Sequence, residues 1–165
     1  MARGDPRTRL LVQVLDEAFT AKGWQGATLS RAVRGLSPAQ ALWRPGPGRH
    51  NIWELVLHTA FWKHVVRQRV EGRERPDPFP RPGRNFPHLP GRCDARAWGA
   101  DVALLRRQHE LLRRTVVRLP RRRLDARVGR SRWSVAEQIF GVAAHDLYHT
   151  GQIQLLRTLQ RRRAR

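Results

Sequence analysis

Cysteine is almost absent, since Cys93 stands alone in 165 residues. That excludes an internal disulfide framework and any zinc module built on thiolates, and it fits a reducing compartment. Long apolar runs are missing too. No segment approaches the roughly eighteen apolar residues a membrane span needs, and the N-terminal stretch "MARGDPRTRLLVQVLDEAF" carries no signal-peptide core. A soluble, cytoplasmic protein is the expectation.

Acidic residues are scarce, with Asp and Glu numbering 13 against 33 Lys and Arg for a formal net charge of +20. Lysine is nearly missing as well: apart from Lys22 and Lys63, every basic side chain is arginine. An excess of this size suggests nucleic acid or an anionic surface as partner. A base-composition bias toward arginine codons gives the same pattern, however. The arginines are scattered, clustering only at 121–123 and 161–163, and no aromatic residues interleave with them as in single-strand binders. Specific nucleic-acid binding is the weaker reading.

Sustained two-residue alternation is also absent, which leaves helices, and four long helical patterns are present. The first opens at Asp5-Pro6, a cap followed by proline at the first helical position, carries Leu11, Val14, Leu15 and Ala18, and stops near Gly23. A Gly- and Pro-rich stretch follows, with short helical pieces around 29–36 and after Ser37-Pro38, ended by "RPGPG". The second long helix begins at Asn51, which forms a capping-box pair with Glu54, and runs to about Glu71-Gly72. The third covers about 95–119; the fourth opens with a second capping box, Ser134 and Glu137, and runs to about Leu159. Between the second and third lies "RPDPFPRPGRNFPHLPG" within residues 73–94, which proline keeps from being helical and which is too long for a tight hairpin. The expected fold is one all-α domain over residues 1–165, a four-helix bundle with a long crossover connection between helices two and three and a basic tail.

The inward stripe of the fourth helix, followed at steps of three and four, reads Val135, Gln138, Val142, His145, His149, Gln152, Leu156, Leu159. Burying an imidazole or amide without a partner costs about 1–3 kcal/mol. Such groups persist when they are mutually satisfied, hydrated, or bound to something. Histidines four apart on a helix are offset by about 40° and about 6 Å, so His145 and His149 can face one cation. His58, between Leu55 and Trp62 on the second helix, supplies a candidate third ligand. Three histidines leave an open coordination position, which in a metalloenzyme activates a water or polarises a substrate. On stripe and spacing alone, a metal site and a set of hydrogen-bonded core histidines stand level. Gln138, Gln152 and His109 are candidates to orient ligands or line a pocket, with a bonded core histidine the plainer reading of His109. His50, His64 and His88 read as structural or exposed.

The run "GWQGATLSRAVRGLSPAQALWRPGPGRHNIWELVLHTAFW", with "GVAAHDLYHTGQIQLLR", resembles the DinB/YfiT-like metalloenzyme family, small four-helix bundles named for a DNA-damage-inducible member and distinct from the polymerase of that name. The resemblance spans residues 10–157 and is weakest over 73–94. It includes Trp24-Gln25-Gly26 and the Tyr-His-x-Gly-Gln-Ile tail at 148–153. It implies a metal-ligand triad of His58, His145 and His149, one divalent metal (zinc, nickel or similar), and often a homodimer. Relatives include hydrolase candidates, thiol S-transferases and thiol-dependent isomerases, so it also implies a small-molecule substrate and a low-molecular-weight thiol cofactor in some members. The expected function is that of a metal-dependent hydrolase or thiol S-transferase. The alternatives are a catalytically silent metal-binding or stress-response protein and a basic nucleic-acid-binding module.

Overall fold

The computed structural model describes residues 5–20, 23–128 and 131–163, and every regular element among them is a helix. Four are long: α1 (Pro6–Phe19), α4 (Ile52–Glu71), α5 (Ala95–Val117) and α6 (Val135–Arg163). Two short ones, α2 (Leu29–Ala32) and α3 (Pro38–Leu42), lie between α1 and α4, and a single 3₁₀ turn (Arg121–Arg123) lies between α5 and α6. Local chemistry sets the starts. Asp5 accepts the amide of Arg7 ahead of Pro6, while Ser37, Asn51 and Ser134 each open a helix through a reciprocal pair with Gln40, Glu54 and Glu137. The end of α4 is equally local: Gly72 adopts φ 71°, a left-handed cap that glycine takes without steric cost. The first helix ends at Phe19, short of Gly23, and the intervening residues 21–22 lie outside the described set. No helix among the described residues is long and apolar enough to cross a membrane.

α4 lies against both α5 and α6, and α1 lies against α6 and α5. Contacts between α4 and α5 ascend together along both helices. Trp53 meets Trp98 and donates to Asp101 at 2.9 Å, whereas Glu71 at the far end accepts from Thr115 at 2.8 Å. The two helices therefore point the same way. Residues 73–94, without helix or strand, double back along α4 to join them. Asp77 accepts from His64 through its carbonyl, Phe79 packs on Phe61, Asn85 meets His58 and Trp62, and Phe86 stacks on His50.

The apolar core comes in two clusters, one around Ile52, Trp53, Val56, Leu105 and Ile153, the other around Leu15, Val66, Leu112, Ile139 and Ala143. Between them, in the order of α4, α5 and α6, lie buried Lys63, His109 and Asp146. Lys63 and Asp146 form an ion pair with both side chains 0% exposed. The buried arc of α6 is centred on Ile139, Ala143, Asp146, Thr150 and Ile153. The stripe drawn from sequence runs along one edge of that arc, because α6 packs against α1 on one side and α4 on the other. Its last member, Leu159, is exposed.

Candidate metal centre

His58 occupies the second turn of α4, and His145 and His149 lie one turn apart in the middle of α6. The ε nitrogen of His145 is 2.9 Å from that of His58 and 3.1 Å from that of His149. One ligand atom from each residue falls within 4.8 Å of the others, a grouping able to hold a metal ion. Metal–nitrogen bonds of about 2.0–2.1 Å at tetrahedral angles place donor nitrogens about 3.4 Å apart. The two separations at His145 fall a few tenths of an ångström below that.

The outer partners of the rings decide where their protons sit. His58 Nδ1 lies 2.7 Å from the carbonyl oxygen of Asn85, and His149 Nδ1 lies 2.6 Å from Oε1 of Gln152. Both contacts are acceptors, so each δ nitrogen donates and each ε nitrogen is left with a lone pair. Only His145 has a proton to offer to these two lone pairs, and its own Nδ1 is buried without a hydrogen-bond partner. Three neutral imidazoles arranged in this way are under-satisfied among themselves and fit one shared cation.

Electrostatics favours the neutral rings. Burial pushes His58 down to about 4, against a raising contribution from the Asn85 carbonyl, and pushes His145 down to about 3, aided by repulsion from His149, His58 and Lys63. His149 is lowered as well, by burial first, with the Gln152 bond opposing. Imidazoles uncharged at neutral pH are ready donors.

The walls are aromatic. Phe86 stacks on His58 at 4.1 Å between centroids, Trp62 presents an edge to His58 and His145, and Tyr148 does so to His149. Beside the cluster opens a cavity of about 550 Å³, bounded by His50, Phe86, Tyr148, His149, Gln152 and Leu155.

Of the other residues singled out from sequence, Gln152 touches the cluster directly. Gln138 lies two turns before His145, donates to the Trp133 carbonyl at 3.3 Å, and faces a separate groove with Leu11 and Phe140. His109 belongs to the polar layer: it stacks on Phe19 at 4.0 Å, neither ring nitrogen has a hydrogen-bond partner, and burial pushes it down to about 2. His64, read as structural or exposed, is buried, while His50 and His88 are exposed. Cys93 donates to the Pro90 carbonyl at 3.3 Å and is not one of the grouped ligands.

Sequence reasoning missed Asn85 and Phe86, which only the fold-back of residues 73–94 brings to His58. It also missed the buried Lys63–Asp146 pair. A signal for that pair was present: in a chain that otherwise uses arginine, a lysine inside a helix marks a place where a compact ammonium is wanted.

A sequence profile described as the DinB superfamily matches residues 23–153. The chain belongs to the DinB superfamily. No curated protein and no solved structure matches it. The matched span of this DinB-superfamily chain leaves out α1 but contains all three histidines, Asn85 and the connection that carries it.

Proposed function

We propose that His58, His145 and His149 hold one divalent cation, and that the protein is a metal-dependent enzyme acting on a small molecule seated in the neighbouring cavity. The observation that carries this reading is the convergence of three ε nitrogens, two of them freed as lone pairs by acceptors behind their rings. A bound divalent cation would supply Lewis-acid polarisation of a substrate oxygen or sulfur. The chain's own residues do the positioning. Asn85 and Gln152 fix the tautomers and tilt of His58 and His149, and Phe86, Trp62 and Tyr148 keep water from the outer sides of the rings. The reaction class is hydrolysis or transfer of a low-molecular-weight thiol. The four long helices are read as a four-helix bundle in which residues 73–94 form the crossover; the support is the ascending pairs between α4 and α5.

Metal analysis of the purified protein beside a His149→Ala variant tests the site. One equivalent in the parent and a loss of at least about tenfold in affinity in the variant is expected. Full occupancy of the variant overturns the triad. Turnover of electrophiles offered with a panel of biological thiols, and of simple esters and amides without them, separates transferase from hydrolase. A metal-loaded protein inert to both is a non-catalytic metal binder.

A further inference from the structure

The far end of α4 carries a second cavity, of about 650 Å³, whose character differs from the histidine site. Arg67 and Arg73 line it from α4 and its exit, Arg114 from α5 and Arg118 from the cap that ends it, and Arg122 and Arg123 from the 3₁₀ turn. Glu71 is the single acid in its wall. Arg67 lies nine residues beyond His58, hence about 13 Å further along the helix axis.

A scatter of arginines on a basic protein would be unremarkable, so the balance of charge at this spot matters. α4 and α5 both end here, and their exposed carbonyls amount to about half a negative charge each. With Glu71, and with Asp77 that pairs with Arg73, that makes about three negative charges against six guanidiniums. Some of the six are committed. Arg73 pairs with Glu71 and Asp77, and Arg123 donates to the Val70 carbonyl at 3.2 Å. Arg67 is 8% exposed and is held by both Glu71 oxygens at 3.0 Å, yet its buried Nε has no hydrogen-bond partner. Arg114, Arg118 and Arg122 make no side-chain hydrogen bond or ion pair among the described residues. One buried donor without an acceptor and three exposed guanidiniums without a side-chain partner thus surround one cavity, where Glu71 holds Arg67 in place.

We propose that this cavity binds a small linear polyphosphate, the phosphoanhydride chain of a nucleoside triphosphate or of inorganic tripolyphosphate. Several guanidiniums spread around a cavity match an extended anion with several charged groups better than a single compact one, and guanidinium forks suit phosphate oxygens. The lining contains leucine, valine, threonine and proline but no aromatic ring to stack a base. The phosphates, and not the nucleoside, are what the site reads.

Calorimetric titration of the full-length protein with tripolyphosphate, orthophosphate and ATP at about 0.15 M salt, a range in which nonspecific phosphate contacts are weakened, tests the assignment. Tripolyphosphate is expected to bind at least about tenfold tighter than orthophosphate, with ATP within about threefold of tripolyphosphate. Replacing the exposed pair Arg118→Gln/Arg122→Gln should weaken tripolyphosphate at least about tenfold, while Arg162→Gln/Arg163→Gln at the end of α6 changes it less than about twofold. Because polyphosphates also chelate metals, His149→Ala is titrated in parallel and is expected to bind them as the parent does. Equal losses from the two arginine pairs, equal affinity for one and three phosphates, or loss in His149→Ala would each overturn the site. A single-stranded oligonucleotide that displaces tripolyphosphate, and loses its own affinity in Arg118→Gln/Arg122→Gln, would overturn it in favour of nucleic acid.

Discussion

An ammonium with no exposure, paired to a carboxylate with none, is the least expected pair of residues in the molecule. Asp146 is held raised, to about 6, by burial, with Lys63 opposing, and its Oδ1 has no hydrogen-bond partner. Removing one member strands the other. Lys63→Met alone is expected to cost about 3–5 kcal/mol in urea denaturation, and Lys63→Met with Asp146→Leu is expected to recover most of it. The histidines make a second prediction at this scale. His109 at about 2, His145 at about 3 and His58 at about 4 all lie below the ordinary 6.5. Below pH 6.5 the unfolded chain takes up protons that the folded chain refuses, so their contribution is lost as pH falls from about 6.5 to about 4 for His58, about 3 for His145 and about 2 for His109. Asp146 works in the opposite sense: its folded state binds a proton first, so acid favours folding between about 6 and 3.8. Three groups outweigh one, and thermal melting of the metal-free protein is expected at lower temperature at pH 4.5 than at pH 7. His109→Leu, which removes an imidazole with neither nitrogen bonded, should flatten that slope.

At the scale of elements, what a few neighbouring residues decide was legible in the sequence. Asp5-Pro6, Ser37-Pro38, Asn51 with Glu54 and Ser134 with Glu137 each open a helix as their spacing predicts. His58, His145 and His149 could be named as a set, but only the packing of α4 against α6 brings their nitrogens together. Asn85 was out of reach. Its role depends on residues 73–94 turning back along α4 and on a left-handed backbone, φ 57°, which asparagine tolerates better than most residues. There it presents its carbonyl to His58 while its side chain accepts from Trp62 at 2.8 Å. Asn85→Ala, unsuited to that backbone, is expected to weaken metal binding by about tenfold or more, as loss of an outer partner of a ligand does. Asn85→Gly keeps the conformation and should weaken it less; competition with a chromogenic chelator measures both. The polar layer was hidden for a related reason, since Lys63, His109 and Asp146 come from three different helices and their meeting is a tertiary fact.

For the molecule as a whole, a net charge of +20 spread over a small chain is a self-repulsion that the fold must overcome. Screening should relieve it. Raising sodium chloride from about 0.02 to about 0.5 M shortens the Debye length from about 20 Å to about 4 Å, and the melting temperature is expected to rise across that range. A flat or falling response would mean that the ion pairs of Asp16 with Arg113, Glu54 with Arg44 and Asp101 with Arg81 already balance the surface locally. The doubled-back connection has one more consequence, and it concerns rates. The chain over His58 is held by side-chain and carbonyl contacts with α4, by the Arg81–Asp101 pair to α5 and by no ladder of its own, so it can lift while α4 and α6 remain intact. Whatever the histidines hold should then leave on the timescale of that local opening. Its release should follow hydrogen exchange in residues 73–94 and be faster than global unfolding.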